Sequence, residues 1–389
     1  MQSNNQKIAF IGWNPFQLIH VSSLIKSIPN SIFILENKHN SLSQFNHSLL
    51  NRRDVPIKVY LSKDIHKLDN IYDVIVCQTV FTDIHKFEKA KIAMIQYGYA
   101  KEAHNYGPWR SLADVCFTYG SYASKKISYF CPTKEINFLR KEEANDPLFL
   151  QSAQDKYHDL IDPNKKTILF LPTWGECSSI SRYSDKIKSL LEGYNVLVKV
   201  HHNSDLLGFG VSTKLKKQIP HTFGANDDSL QLMLISDVII SDYSGAIFDA
   251  IFCKKPVILL DSHSCMQSSD KVDKYSLEFQ RRDELGYVVN SPDDLLNSVK
   301  LALSGGKTNV SDKLYNNLFS GENKSHQTIK NALLDLSNNK NTNPLSQQQF
   351  YIRSAMKKLY GLKYSSASYN ALNKIQTLYS KVMLTVRAK

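Results

Sequence analysis

Short apolar runs alternate with polar stretches along most of the chain, and this alternation predicts strands and helices in turn. The runs that fit buried strands cover residues 7–12, 31–35, 57–61, 73–78, 91–96, 114–118, 167–171, 195–200, 238–240, 257–260 and 286–289. Between them, apolar residues recur at helical spacing, as at Leu18, Val21, Leu24, Ile25 and Ile28. Strands that alternate with helices are typical of parallel sheets, so the pattern predicts an α/β protein.

A charged stretch, residues 132–165, separates two runs of strands and helices. The first run begins strand–helix–strand, as a Rossmann-like half does, but it has no GxGxxG fingerprint for a dinucleotide. The simplest architecture is therefore two Rossmann-like domains, residues 1–150 and 151–336, that face a central ligand cleft. After a polar linker, residues 345–389 show apolar positions at three- or four-residue spacing among Lys and Arg, which predicts a tail of basic amphipathic helices.

Most of the excess positive charge lies near the C-terminal end of the chain. The net charge is +12, the last acidic residue is Asp335, and the residues after it carry nine of the excess positive charges. Such an asymmetry points to an anionic partner. The tail either docks on an anionic membrane surface or packs against the N-terminal half with its basic face in solvent. A basic module that binds nucleic acid is a further alternative, but no nucleic-acid-binding motif is present, and we predict no such partner.

Targeting signals and cysteine spacing place limits on the compartment and on metal chemistry. The sequence has no signal-peptide pattern and no apolar run of about 18 residues, so we expect a cytoplasmic protein, peripheral on the inner face of the membrane. The six cysteines have no CxxC spacing, which favours buried free thiols in a reducing compartment. Without Cys/His ligand spacing or a strand-end DxD, we predict no catalytic metal and no cofactor.

Residues 236–261 predict a strand, a turn, a helix and a second strand. The turn is SDYSG at residues 241–245, and the helix after it carries the apolar pair Ile247 and Phe248. Small and hydroxyl residues at a helix start leave backbone N–H groups at the positive end of the helix dipole, which suits a phosphate. Ser244, Gly245 and Ala246 are the candidate phosphate ligands, and an ordinary helix cap is the alternative.

Polar residues also follow other predicted strands, at the sheet edge where ligands of open α/β sheets bind. Thr173 follows the strand at 167–171, and His201 follows the strand at 195–200. The pair at 227–228 begins a helix, which favours capping over a contact to ribose or polyol hydroxyls. In the first half, residues 95–109 are rich in Gly, Tyr and His and contain His104. We select His104 as a candidate general base, against the alternative of a surface loop histidine.

Four motifs together resemble those of the CDP-glycerol glycerophosphotransferase family of teichoic-acid and capsule polymer synthesis. They are LPTW at 171–174, KVHH at 199–202, DD at 227–228, and SDYSG at 241–245 with KKP at 254–256. The resemblance implies a GT-B-like fold in which the C-terminal half binds the donor and the N-terminal half the acceptor. It also implies transfer of glycerol phosphate or ribitol phosphate from a CDP-activated donor to a hydroxyl of a lipid-linked or polysaccharide acceptor, with release of CMP.

The resemblance gives roles to individual residues. His201 matches the histidine of the family's KxHP motif, and Ser244 and Gly245 match its serine pair. Asp249 matches an acidic residue one helical turn later, and Thr173 lies in the PTW element. The candidate contacts to the nucleotide or polyol are Asp242, Asp249 and Asp228. A histidine beside a phosphate is expected to be cationic, because that partner raises its pKa.

The chain also departs from the family pattern. His202 stands in place of the KxHP proline, and Gly245 in place of the second serine, although its backbone N–H remains. Where the family has a WHG-like histidine, this chain has Tyr97 before Gly98. We take Tyr97 and Gly98 as acceptor-side candidates, with His104 as the substitute base. A GT-B glycosyltransferase that uses a CMP- or UDP-activated sugar is the alternative function.

Overall fold

The computed structural model describes residues 6–206, 211–262, 274–305, 310–321, 324–339 and 344–364. By their internal contacts these residues form two compact units. Unit 1 comprises the chain up to Tyr97, Ala103–Arg140, and the described residues from Asn317 onward. Unit 2 comprises Gly98–Glu102 and Lys141–Asn316.

Each unit is built on one parallel sheet. The strands of unit 1 are β1 (Ile8–Gly12), β2 (Ile32–Asn37), β3 (Ile57–Leu61), β4 (Val74–Cys77), β5 (Lys91–Ile95), β6 (Val115–Thr118) and β7 (Thr133–Glu135). The strands of unit 2 are β8 (Thr167–Leu171), β9 (Asn195–Lys199), β10 (Thr222–Phe223), β11 (Val238–Ser241), β12 (Val257–Leu260) and β13 (Tyr287–Val289). The predicted α/β class with two parallel-sheet domains is confirmed.

Both sheets have the strand order of a Rossmann fold. The orders are β3-β2-β1-β4-β5-β6-β7 and β10-β9-β8-β11-β12-β13, with every pair parallel. The order reverses between β1 and β4 in unit 1 and between β8 and β11 in unit 2. Ligands of such sheets bind at these switch points, outside the carboxyl ends of the strands.

The α-helices of the described residues follow the strands in the expected alternation. They are α1 (Pro15–Ser27), α2 (His47–Leu50), α3 (Glu102–Asn105), α4 (Ser121–Ile127), α5 (Lys141–Ala144), α6 (Pro147–Tyr157), α7 (Ile180–Ser189), α8 (His202–Leu206), α9 (Val211–Gln218), α10 (Ser229–Leu234), α11 (Ala246–Phe252), α12 (Leu277–Gln280), α13 (Arg282–Leu285), α14 (Leu295–Gly305), α15 (Asp312–Leu318), α16 (Ser325–Ser337) and α17 (Gln347–Tyr364). Short 3-10 helices occur at Lys38–Gln44, Ser62–Asn70, Ile84–Lys86, Pro108–Leu112, His158–Leu160, Gly175–Cys177, Leu190–Glu192 and Pro292–Asp294.

The cores explain why the strands read as continuous apolar runs. Every residue of β1, β4, β8, β11 and β12 is buried, because helices cover both faces of a parallel sheet. The short edge strands β7 and β10 were not predicted. Their sequences, TKE and TF, are too short and, in β7, too polar to give an apolar run.

The units differ from the predicted boundaries at 150 and 336. The part of unit 1 that precedes unit 2 ends at Arg140. Further along the chain, α16 also belongs to unit 1, because it packs on α1, β4 and β5. Ile329, Leu333 and Leu336 bury the apolar face of α16 there. A helical pattern shows that such a face exists but not which sheet receives it, so the sequence could not assign α16 to unit 1.

The first helix of the predicted basic tail, α17, packs on unit 1. Met356 and Tyr360 are buried, and Arg353 donates hydrogen bonds to the Ser111 and Ala113 carbonyls. Arg353 also pairs with Asp114 at 2.9 Å. α17 therefore packs against unit 1, and membrane docking of the tail stays a prediction; residues 365–389 lie outside the described part. Within the described residues, no helix has both the length and the apolar character that a membrane crossing requires.

The cysteines follow the prediction in part. Cys77, Cys116, Cys131 and Cys253 are free thiols, and the first three are buried. Cys177 is disulfide-bonded, so the expectation of a free thiol was wrong there. The sixth cysteine, at position 265, lies outside the described residues. Spacing alone gave no signal for a disulfide, because Cys177 has no cysteine near it in sequence.

Candidate active site

Three neighbouring strands of unit 2 bring the predicted motifs to one edge of its sheet. β8 lies between β9 and β11, so the loops that follow these strands leave the sheet side by side. They carry Thr173 and Trp174 after β8, His201 after β9, and the SDYSG turn after β11. The predicted site residues of these loops therefore lie at the switch point of unit 2.

A buried carboxylate, Asp242, bridges the switch point. Its Oδ1 accepts a hydrogen bond from the Thr173 N–H at 2.8 Å. Its Oδ2 accepts from the N–H and the hydroxyl of Ser179, at 3.0 and 2.9 Å. Burial raises the pKa of Asp242, and these hydrogen bonds oppose that rise. Both oxygens thus hold protein groups, which favours a structural role for Asp242 over the predicted contact to nucleotide or polyol.

A buried arginine, Arg282, also contacts the SDYSG turn. Arg282 donates to the Asp242 carbonyl at 3.0 Å and to the Leu260 carbonyl at 2.7 Å. Its guanidinium lies 4.1 Å from the centroid of the Tyr243 ring. The Tyr243 hydroxyl donates to Asp261 at 2.6 Å. These contacts hold the SDYSG turn rigidly at the end of β11.

His201 lies in an aromatic stack. Its ring is 4.1 Å from the His202 ring, nearly parallel, and 6.0 Å from the Trp174 ring, centroid to centroid. Its Nδ1 accepts a hydrogen bond from the Asn203 N–H at 3.2 Å. In the neutral ring the proton therefore sits on Nε2, and the Nε2–H is the group that can donate to a phosphate oxygen.

The unliganded site keeps both histidines neutral. Burial lowers the pKa of His201 well below its usual range, and the charges of His202, Lys101 and Lys199 act in the same direction. Burial and the same two lysines lower the pKa of His202 to about 3. The expectation of a cationic His201 concerns the phosphate-bound site, so it stays a prediction.

The acidic pair after β10 makes hydrogen bonds to nearby backbone N–H groups. The Asp228 side chain caps α10 by accepting from the Leu230 N–H at 2.9 Å, and Asp227 accepts from the Gly224 N–H at 2.9 Å. Capping was the favoured alternative for this pair. Burial lowers the pKa of Lys199, whereas the charges of Asp227 and Asp228 oppose that shift. Lys199 is thus a buried lysine whose charge the acidic pair balances.

The start of α11 carries the predicted phosphate ligands. Gly245 occupies the N-cap position and offers no side chain to cap the helix. The Ser244 hydroxyl accepts from the Ala246 N–H at 3.3 Å. Asp249 is half-buried one turn further along α11, and its carbonyl accepts from the Cys253 N–H. Thr173 is buried, so its hydroxyl is not exposed. Its backbone instead helps to fix the position of the loop after β8.

The acceptor-side candidates fall in different units. Tyr97 belongs to unit 1, where its ring packs edge-on against Phe16 at 5.3 Å. His104 is exposed on α3 in unit 1, and its carbonyl accepts from the Trp109 indole at 2.8 Å. Gly98 begins the short segment that belongs to unit 2. The roles of these three residues stay predictions.

The carboxyl edge of the unit 1 sheet carries a network that sequence reasoning missed. Gln78 Nε2 is 2.7 Å from His20 Nδ1, and the Tyr119 hydroxyl is 3.5 Å from His20 Nε2. The Gln96 side chain accepts from the Tyr119 N–H at 2.8 Å. His20 lies inside the apolar face of α1, where helical spacing indicates core rather than a site.

Other missed residues lie in unit 2. Ser179, Glu278 and Arg282 all contact motif residues or their neighbours, yet none belongs to a motif. Their partners are 40 to 177 residues away in sequence, so only the folded chain reveals them. The second lysine of the KKP motif, Lys255, donates to the carbonyls of Leu234, at the end of α10, and Ser236. Among the described residues, no group of His, Cys, Asp and Glu is arranged to hold a metal ion.

The two Rossmann-like units and the site at the second switch point define an α/β protein of the GT-B-like class. Solved structures agree with this fold. The wall teichoic acid polymerase TagF has a TM-score of 0.59 at 17% identity, over 87% of this chain and 90% of that chain. A structure of TagF soaked with CDPG has a TM-score of 0.60 at 18% identity and the same coverage. The UDP-GlcNAc 2-epimerase of Neisseria meningitidis has a TM-score of 0.53 at 15% identity, over 85% and 100%.

Sequence comparison adds a family match over part of the chain. Residues 138–311 match the model of CDP-glycerol:poly(glycerophosphate) glycerophosphotransferases. The teichoic acid poly(glycerol phosphate) polymerase of Bacillus spizizenii is 26% identical over 132 residues, 31% of this chain and 32% of the relative. That of Staphylococcus epidermidis is 27% identical over 136 residues, 31% and 18%. The aligned part thus spans about a third or less of these relatives.

Proposed function

We propose that this protein transfers glycerol phosphate or ribitol phosphate from a CDP-activated donor to a hydroxyl of a lipid-linked or polysaccharide acceptor in cell-surface polymer synthesis. The observation that carries the proposal is the convergence of His201, Trp174 and the Ser244–Gly245 turn at the switch point of unit 2. This convergence lies inside the region that matches the glycerophosphotransferase family.

The proposed donor site is the loop cluster after β8, β9 and β11. The His201 Nε2–H donates to a phosphate oxygen of the donor, and the bound dianion raises the pKa of that histidine from its depressed value. Backbone N–H groups at Ser244, Gly245 and Ala246 bind the pyrophosphate at the start of α11. Asp249 and Asp228 remain the proposed contacts to the nucleotide or polyol, and Asp242 holds the Thr173 loop in place.

In the proposed reaction the acceptor oxygen attacks the phosphorus that carries the polyol. The new P–O bond forms as the bond to the bridging oxygen of the pyrophosphate breaks, and CMP leaves with that bond's electron pair. The hydroxyl proton passes to a general base, which we assign to His104. Hydrogen bonds from His201 and the α11 start stabilise the charge that develops on the transferred and leaving phosphates.

Donor identity is tested by nucleotide binding and release. In a thermal-shift series, CDP-glycerol, CDP-ribitol and CMP should stabilise the protein, and UDP should not. With an acceptor present, turnover of the stabilising CDP-polyol should release CMP. Stabilisation by UDP, with UDP release from a UDP-sugar, would replace the proposal with the glycosyltransferase alternative.

We further propose that the protein is cytoplasmic and binds the anionic inner face of the membrane through residues 345–389. Phe350, Tyr351 and Leu362 are exposed large apolar residues of α17, and Lys358 is exposed beside them. Because α17 packs on unit 1, removing all of 345–389 would also uncover its core. The sharper test removes residues 365–389 only. The full chain should sediment with anionic vesicles and not with neutral ones, and the shortened chain should sediment less with the anionic vesicles. Equal sedimentation of both chains would contradict a role for residues 365–389.

A further inference from the structure

Without ligand, the two histidines of the proposed donor site in unit 2 supply no positive charge. Both histidine rings are neutral in the unliganded protein, because burial depresses their pKa values. Two lysines, Lys101 and Lys199, act electrostatically on both rings. Lys199 is buried beside Asp227 and Asp228, which balance its charge. Lys101 is only partly buried, and its ammonium lies 5.5 Å from the centroid of the Trp174 ring.

Lys101 reaches the site on a segment inserted from between two stretches of unit 1. Residues Gly98–Glu102 belong to unit 2, although the chain before and after them belongs to unit 1. Tyr99 is fully buried with its ring 5.1 Å from that of Phe248 on α11. A Cβ atom placed on Gly245 would lie 3.9 Å from the Ala100 Cβ. The segment thus runs beside the start of α11, where the phosphate ligands are proposed.

Three hydrogen bonds fix the backbone on either side of the Lys101 side chain. The Lys101 N–H donates to Glu278 Oε1 at 2.6 Å. The Glu102 N–H donates to the Ser276 hydroxyl at 3.0 Å, and Glu102 Oε1 accepts from the Leu277 N–H at 2.9 Å. Lys101 has a φ of 57°, in the left-handed region that lysine seldom adopts. The clamp therefore holds Lys101 in a conformation that it would otherwise leave.

Glu278 has features that packing alone does not require. It is fully buried, and its Oε2 has no hydrogen-bond partner among the described residues. Burial raises its pKa to about 8, and the charge of Glu102 acts in the same direction. A buried carboxyl with an unpaired oxygen destabilises a fold, so a simple core position would favour an apolar residue. What Glu278 provides is the acceptor for the Lys101 N–H.

We propose that Lys101 binds the diphosphate of the nucleotide donor through its ammonium, and that Glu278 is the positioning residue that fixes Lys101 for this contact. The inference deepens the proposed function and rests on it for the identity of the donor. The ligand class is a nucleoside diphosphate ester, whose phosphate oxygens a lysine ammonium recognises as a point charge.

The test is the affinity of the full chain for CDP-glycerol, measured by isothermal titration. Lys101→Ala should weaken binding by about 10- to 100-fold, the range for a hydrogen bond to a charged group. Lys101→Arg should recover part of that loss. Lys254→Ala is the matched control: Lys254 also has a positive φ, of 54°, and also lies over an aromatic ring, Tyr315, but it follows the other end of α11. The control should bind as the wild type does. Wild-type affinity in Lys101→Ala would overturn the proposal.

A second probe, inorganic pyrophosphate, separates this inference from the proposed function. If the wild type fails to bind CDP-glycerol but binds pyrophosphate, the proposed function fails, and Lys101→Ala is judged on pyrophosphate. Loss of pyrophosphate binding in that variant would support Lys101, and unchanged binding would overturn it. A wild type that binds neither probe would overturn both.

The positioning role of Glu278 needs a readout that a structural role alone would not move. Glu278→Leu should weaken donor binding about as much as Lys101→Ala does. The variant that carries both substitutions should bind the donor no more weakly than either single variant. Glu278→Gln keeps an acceptor oxygen and should bind within about threefold of the wild type. Nuclear magnetic resonance titration should show the pKa of His201 rising in Lys101→Ala. If Glu278→Leu does not fold, Ser276→Ala, which removes one clamp bond, should still raise the dissociation constant several-fold. Wild-type binding in a folded Glu278→Leu or Ser276→Ala would overturn the clamp.

Discussion

The switch points of the two sheets have the same strand order but opposite chemistry. In unit 2, the carboxylate of Asp242 bridges the loops after β8 and β11. In unit 1, the neutral amide of Gln17 bridges the loops after β1 and β4, accepting from the Trp13 N–H at 2.8 Å and donating to Thr79 at 3.0 Å. One fold thus carries a charged bridge in one unit and an uncharged one in the other.

The side chains around the two switch points also differ. The unit 2 edge is lined by ionisable groups whose pKa values are shifted, among them His201, His202 and Lys199. The unit 1 edge holds a network around His20, in which Gln78 Nε2 lies 2.7 Å from His20 Nδ1 and the Gln96 side chain accepts from the Tyr119 backbone N–H. Shifted pKa values cluster at functional sites. The cluster of shifted pKa values therefore supports the proposal that unit 2 binds the charged donor.

The largest expected effect is on catalysis in unit 2. His201→Ala should reduce kcat by about 10²- to 10⁴-fold, because it removes a donor to the reacting phosphates. The variant should stay folded, since His201 is partly exposed. Steady-state CMP release measures the effect. The control is His158→Ala, whose side chain is exposed in the same unit. A wild-type rate in His201→Ala would remove this histidine from the site.

Loss of the two bridges should affect stability unequally. Asp242→Ala leaves three buried donors without a partner, at Thr173 and Ser179, and should lower the free energy of unfolding by roughly 3–5 kcal/mol. Gln17→Ala leaves the Trp13 N–H, which is only partly buried, and should cost about 1–2 kcal/mol. Urea denaturation measures both. Equal losses would show that the bridges do not differ in the proposed way.

Two glycines give a further contrast. A Cβ on Gly120 in unit 1 would lie 2.3 Å from the Leu318 carbonyl oxygen, a backbone atom that cannot move aside easily. Gly120→Ala should therefore destabilise the protein by about 1–3 kcal/mol. Gly245→Ala meets only the Ala100 Cβ at 3.9 Å, an ordinary contact, and should change stability by less than about 0.5 kcal/mol. Thermal melts of both variants decide this, and a large loss in Gly245→Ala would contradict the open geometry of the α11 start.

A pH dependence is expected from Glu278 in unit 2. Its pKa is about 8 in the folded protein and about 4.5 in the unfolded chain, so the folded state binds more protons between these values. Its contribution to stability is complete below pH 4.5 and is lost as the pH rises through 8. Glu278→Gln does not titrate, so its stability relative to wild type should rise with pH, by up to roughly 1.4 kcal/mol per pH unit. Denaturation at pH 5 and pH 8 tests this, and a constant difference would contradict a buried protonated carboxyl.

Much of the fold could be predicted because its signals are local. Apolar runs locate the central strands, and the SDYSG turn marks the beginning of α11. The strand order then follows the usual Rossmann pattern, which places the motifs after β8, β9 and β11 at one edge. This is why the grouping of Thr173, His201 and Ser244 could be expected without coordinates.

The rest depends on contacts between distant parts of the chain. The Lys101–Glu278 bond joins residues 177 positions apart, and Glu278 stands in no motif. Burial decides the charge of His201, and burial of one loop residue is not encoded in its immediate neighbours. α16 likewise has an apolar face that fits either sheet, and only packing assigns it to unit 1.

The central claim is that unit 2 binds a CDP-activated polyol for transfer of its polyol phosphate. The most direct measurement is ³¹P nuclear magnetic resonance of the full chain with CDP-glycerol and a poly(glycerol phosphate) acceptor. The diphosphate signals should decay while signals of a phosphodiester and of CMP grow, and His201→Ala should abolish this conversion. Persistence of the diphosphate signals with active acceptor present, or equal conversion by His201→Ala, would contradict it.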